Sequence, residues 1–103
     1  MTLFEASTPL GFVIRVPVER WKLIVEMKHP VMAGREDDVR LALEQPDEIR
    51  MSRADESVLM FYRVEKPRRW ICAVIKRVDE IDGFLITAYP TDALKEGQRI
   101  WTR

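Results

Sequence analysis

The sequence predicts an α+β fold, with two N-terminal helices packed on a four- or five-stranded, mainly antiparallel sheet in a single domain over 1–103. Apolar residues recur at helical spacing up to Pro46 and alternate with period two beyond it. Proline or glycine punctuates the joints, at Pro17, Pro30, Gly34, Pro46, Pro67 and Gly83. The later segments follow one another through short turns, as hairpins do. Helices on one sheet face leave the other free for function.

Residues 1–9 are expected as a loose lead-in, punctuated by Pro9 and Gly11. Phe12 to Val16 is a strand by its β-branched and aromatic content. Pro17 suits the first position of a helix, where its missing N–H costs nothing. Val18, Trp21, Ile24 and Val25 form the buried stripe of that helix. Pro30 ends it by disfavouring helical dihedrals at His29. Gly34 opens a second helix over 35–45, with Glu36, Asp37 and Asp38 in the first turn, where the helix dipole favours negative charge. Val39, Ala42 and Leu43 are its apolar face, and Pro46 closes it.

The strands follow. Glu48 to Ser52 is short, and Val58 to Val64 connects through Glu65-Lys66-Pro67-Arg68 to Arg69 to Val78. Ile71, Ala73 and Ile75 share one face of that last strand. Phe84 to Tyr89 is expected to alternate Phe84, Ile86 and Ala88 against Leu85, Thr87 and Tyr89. Pro90-Thr91-Asp92 starts a short helical turn through Lys95, which Gly97 stops. Ile100 and Trp101 form an apolar tail that docks.

With 103 residues, 47% of them hydrophobic, the chain can build one core without staples. A lone cysteine, Cys72, forbids an intrachain disulfide and suits a reducing cytoplasm. One cysteine and one histidine are too few for structural zinc, and neither GxGxxG nor a P-loop is present. No metal or cofactor is therefore expected. The longest apolar run, Trp70 to Ile75, is too short to span a membrane, and the N-terminus lacks the pattern of a secretory signal. A cytoplasmic protein is expected, as monomer or homodimer.

The formal net charge is zero, but it is unevenly spread. Residues 35–60 carry four basic and eight acidic groups. Residues 61–78 carry Arg63, Lys66, Arg68, Arg69, Lys76 and Arg77 against Glu65 alone. Zero net charge argues against tight, sequence-blind nucleic-acid binding, whereas a local basic strand block is compatible with a phosphodiester ligand.

His29 is the best general acid/base candidate, because imidazole titrates near neutrality. Arg63, Lys76, Arg77, Thr87 and Tyr89 interrupt otherwise apolar strands. Cations match phosphate oxygens, hydroxyls donate to them, and Tyr62 or Trp70 can stack on unpaired bases. Cys72, inside the strongest strand, is expected as a small buried hydrophobe.

Several motifs share an order. They are T-P-L-G-F (Thr8 to Phe12), K-H-P-V-M (Lys28 to Met32), L-E-Q-P-D-E-I (Leu43 to Ile49), S-R (Ser52, Arg53), L-M-F-Y-R (Leu59 to Arg63), W-I-C-A-V-I-K (Trp70 to Lys76) and G-F-L-I-T-A-Y-P-T-D (Gly83 to Asp92). In that order they resemble the phage-type barnase–EndoU–colicin–RelE-like nucleases, over roughly residues 8–101. The resemblance implies helices followed by a four-stranded antiparallel sheet, and a metal-independent, toxin-like ribonuclease acting on RNA and partnered by an acidic antitoxin protein. It implies catalytic roles for His29, Arg53, Arg63, Thr87 and Tyr89, with Ser52 and Tyr62 as substrate-binding residues, to which the basic Lys28 and Lys76 are added as expected substrate-binding residues. Such sequences tend to carry an acidic residue after the His-Pro pair, and here Val31 stands there. The leading expectation is RNA cleavage by 2′-hydroxyl attack with His29 as acid or base. The alternative is a non-catalytic RNA- or protein-binding module on the same scaffold.

Overall fold

Phe4 and Ala6 turn inward between exposed neighbours, and the segment that holds them is a strand. A computed structural model describes residues 1–94 and 97–103. Its elements are β1 (Thr2–Ser7), β2 (Val13–Pro17), α1 (Val18–Leu23), α2 (Glu36–Glu44), β3 (Glu48–Met51), β4 (Val58–Lys66), β5 (Arg69–Arg77), β6 (Asp82–Thr91) and β7 (Gln98–Thr102). A π-helical turn, Ile24–Lys28, extends α1, and a 3₁₀ turn, Pro30–Met32, leads toward α2.

The seven strands form one sheet in the order β1-β2-β6-β5-β4-β3-β7. Every neighbouring pair is antiparallel except β2 and β6, which run parallel through Val13↔Asp82, Ile14↔Gly83 and Arg15↔Phe84. This corrects the expected four- or five-stranded, mainly antiparallel sheet with two N-terminal helices. The sheet is larger and mixed, and two strands precede the helices. The extra strands come from both ends of the sequence. Residues 2–7, expected as a loose lead-in, pair with β2, and the tail around Ile100 and Trp101 pairs with β3. Both segments are short; β1 pairs with the next strand in a hairpin, whereas β7 depends on β3, about fifty residues earlier.

The helices cover one face. Trp21, Ile24, Met32, Val39, Ala42 and Leu43 pack there on Ile14, Val16, Ile49, Phe61, Ile71, Ala73, Ile75, Leu85 and Ala88. Phe12 meets Phe61 edge to face at 6.5 Å, and the Arg77 guanidinium lies 4.4 Å over the Phe12 ring. Burying a phenylalanine of this kind contributes about 2–3 kcal/mol. No side chain caps α2 at Arg35. Instead the Arg35 guanidinium binds Asp38 at 2.8 Å and also Glu65, tying the helix start to the β4–β5 hairpin. These two carboxylates, Asp38 first, hold Arg35 above its ordinary pKa. Asp37 pairs with Arg40, so two members of the acidic triplet serve ion pairs.

Strand β6 departs from simple alternation. Val74 pairs with Thr87 but Ile75 pairs with Leu85, which leaves Ile86 as an extra residue. Leu85 and Ala88 therefore both reach the core, while Phe84 is 37% exposed. The expected grouping of Phe84, Ile86 and Ala88 against Leu85, Thr87 and Tyr89 fails at this bulge. Pro90 and Thr91 continue the strand instead of starting a helical turn, and the Lys95 end of that expected turn lies outside the described residues.

Candidate functional site

On the face away from the helices, Met60, Tyr62 and Cys72 form a small second core. Trp70, Val74, Tyr89 and Leu94 pack around it. The pairings Tyr62↔Cys72 and Cys72↔Tyr89 set two tyrosines on either side of the thiol in one row across β4, β5 and β6. Burial pushes the Cys72 thiol up to about 11, while the Tyr89 and Tyr62 hydroxyls beside it pull the other way. Cys72 is thus a buried, protonated thiol and not a nucleophile. This row could not be read from the sequence, because it depends on the register of three strands.

His29 reaches the row from the side. Pairing of β2 to β6 ends at Arg15↔Phe84, so beyond that point this edge of β6 has no strand partner among the described residues. The turns Ile24–Lys28 and Pro30–Met32 lie against β6. His29 stands between them with φ −139° and ψ 79°, outside helical dihedrals, as the following Pro30 requires. Its ring centroid lies 5.2 Å from that of Tyr89 at an interplanar angle of 45°. Lys28 Nζ donates to the Ile86 carbonyl at 3.3 Å, so the bulge residue supplies the acceptor that holds the lysine at this edge.

Thr87 lies two residues before Tyr89 on the same face, roughly 7 Å away at the rise of a strand. Its Oγ1 is buried and has no hydrogen-bond partner among the described residues. A buried hydroxyl without a partner costs about 1–3 kcal/mol. Thr8 Oγ1 and Glu36 Oε1, in the β1–β2 turn and the first turn of α2, share that state.

The other expected site residues stand elsewhere. Arg63 alternates with Tyr62 and so lies on the helix face, where its guanidinium donates to the Gln45 carbonyl at 2.6 Å and satisfies the end of α2. Lys76 is on the outer face but is held by Asp55 at 3.3 Å. Hydrogen bonds from the Ser57 hydroxyl and N–H, with Lys76 adding, bring Asp55 down to about 2. Arg53 is exposed in the β3–β4 turn, and the neighbouring Ser52 Oγ accepts from the Ala54 N–H. The fold therefore gathers His29, Lys28, Thr87 and Tyr89 at one side of the outer face, while Tyr62, two strands over, is buried in the second core. The fold leaves Arg53, Ser52 and Arg63 apart from them.

Among the described residues no helix is long and apolar enough to cross a membrane. Compared with known protein families, curated proteins and solved structures, the chain matches none.

Proposed function

We propose that this protein cleaves RNA at the His29–Tyr89 edge of the outer sheet face. One observation carries the reading: an imidazole tilted against a tyrosine ring, two residues along the strand from a buried threonine hydroxyl that has no partner among the described residues. The motif resemblance described above supports the same class of substrate. In this reading the His29 imidazole takes the proton from a ribose 2′-hydroxyl. The freed oxygen forms a bond to the adjacent phosphorus, and the bond from phosphorus to the 5′-oxygen breaks. The Tyr89 hydroxyl supplies a proton to that leaving oxygen. Thr87 Oγ1 donates to a phosphate oxygen, and Lys28 offsets the added negative charge. The products are a 2′,3′-cyclic phosphate and a 5′-hydroxyl end.

The test is incubation of purified protein with single-stranded RNA in EDTA beside a His29→Ala variant. Cleavage by the parent, with a loss of 100-fold or more in the variant, is expected, in the range of lost acid–base catalysis. Equal cleavage by both, or none by either, overturns the reading.

RNA binding without turnover is the second reading. It is favoured by Arg63, which faces the helices and not His29, so the arginine expected to stabilise added charge is engaged elsewhere.

A further inference from the structure

Cys72 stands beside Tyr89 in the sheet, fully buried, and takes no part in the proposed cleavage steps. Tyr89 flanks it on β6 and Tyr62 on β4, all three on the outer face. Both tyrosine hydroxyls hydrogen-bond to its sulfur. The Tyr62 hydroxyl also donates to Met60 Sδ at 3.9 Å. Four polar or sulfur groups thus form one chain across three strands, with Trp70, Val74 and Leu94 packed around it. Tyr62, Tyr89 and, beyond Tyr89, His29 are the titratable groups that face Cys72 among the described residues. Lys76, further along this face of β5, is held by Asp55, and Lys28 by the Ile86 carbonyl.

Met60 fixes the direction of the chain. A thioether has no proton to give and can only accept. The Tyr62 proton therefore points to Met60, which leaves the Tyr62 oxygen to accept the Cys72 S–H. The sulfur in turn is left to accept the Tyr89 O–H. In apolar surroundings each bond polarises the next.

The same chain can turn round. Met60 sulfur is a weak acceptor, so little is lost when the Tyr62 hydroxyl swings from it to the Cys72 sulfur. The thiol proton then faces the Tyr89 oxygen. Tyr89 can now release its own proton outward, and the phenolate left behind receives a hydrogen bond from the thiol. Every other proton in the chain stays on its own atom.

We propose that Cys72 is a positioning residue for Tyr89: with Tyr62 and Met60 behind it, its thiol holds the Tyr89 hydroxyl in place and stabilises the phenolate that forms when Tyr89 protonates the leaving oxygen. The part played in cleavage rests on the RNA-cleavage reading, whereas the support of the phenolate by the thiol does not.

The experiment follows ring-labelled tyrosine by carbon NMR from pH 7 through the phenol titration, with circular dichroism at each pH to confirm the fold. The chain has two tyrosines, so two signals appear, and Tyr62→Phe assigns them. The same measurement is made on Cys72→Val, which removes the donor, and on Cys72→Ser, which keeps one. Cys72→Val is expected to raise the Tyr89 midpoint by about one pH unit or more, because a hydrogen bond to the charged form is lost. Cys72→Ser is expected to recover most of that shift. On single-stranded RNA, Cys72→Val is expected to lower kcat about tenfold with KM unchanged, and to carry the alkaline limb of the rate profile upward with the Tyr89 midpoint. A Tyr89 signal that does not move in folded Cys72→Val, at pH 7 or through the titration, overturns the proposal, as does a Cys72→Ser protein that behaves like Cys72→Val. Should Cys72→Val fail to fold, Cys72→Ala takes its place with the same expected and overturning results. A protein that shows the shift but cuts no RNA loses the cleavage reading and keeps the thiol as the group that supports the Tyr89 phenolate. A parent that cuts RNA, with a Cys72→Val variant that cuts it as fast, loses only this proposal.

Discussion

The His29 and Tyr89 rings meet at 5.2 Å although one residue ends a helical segment and the other sits in a central strand. The meeting is permitted because β2 leaves β6 at Phe84 and turns into α1. The helical segment then runs back along the vacated strand edge. The site is thus a consequence of where one strand stops.

Thr87→Val should separate stability from function. Valine removes the unpartnered hydroxyl and keeps the branched shape, so the melting temperature should stay level or rise, by an amount equivalent to up to about 1 kcal/mol. RNA cleavage should fall at least tenfold in the same protein. A clear loss of stability would show that the hydroxyl has a protein partner after all.

Gly83→Ala should weaken the parallel join. A Cβ there would stand 2.8 Å from Ile14 Cδ1 and 2.9 Å from the Lys76 carbonyl oxygen. The isoleucine tip can move, but the backbone oxygen belongs to the β5 ladder and resists. A loss of about 1–3 kcal/mol is expected, read as a lower urea midpoint with an unchanged slope.

Cys72 should resist iodoacetamide at pH 8 in the folded protein and react fully in denaturant, because its sulfur is buried and its thiol raised to about 11 from 9.0. The folded state holds this proton more tightly than the unfolded one. The associated stability is complete below pH 9 and is lost as pH rises from 9 through about 11. Cys72→Val should flatten that part of the alkaline limb. Rapid labelling of native protein would contradict the buried environment.

Much of the helical layer was legible because helix burial is written in local periodicity. Trp21, Ile24, Val39, Ala42 and Leu43 are all buried as their spacing requires, and Ile71, Ala73 and Ile75 share the core face of β5. Sheet partners were not legible in the same way. Strand β1 buries only Ala6 fully and Phe4 in part, and it is held by pairing with β2. The bulge at Ile86 inserts one residue into an otherwise regular alternation, and period counting across it groups Phe84 with Ala88 and Leu85 with Thr87, although Leu85 and Ala88 are the pair that reaches the core. At the site, Pro30 announced where the helical segment ends and so located His29. Its neighbour Tyr89 depended on the register across the bulge. Arg63 looked functional because it interrupts an apolar strand, but only the fold reveals the Gln45 carbonyl that it satisfies.

The parallel contact of β2 with β6 also bears on the order in which the protein acquires its shape. Val13 and Ile14 bond to residues that are synthesised near the opposite end of the chain. Until Asp82 to Phe84 emerge, the hairpin of β1 and β2 has no sheet to join, and its apolar side stays wet. Antiparallel β3, β4 and β5 can assemble first from neighbouring segments, and β6 then completes a platform on which the N-terminal third docks last. Closing so long a loop is entropically costly, so the slowest folding step should be the arrival of β2. The docking that brings His29 beside Tyr89 belongs to that same late event, so the candidate active edge forms only once β2 has joined β6.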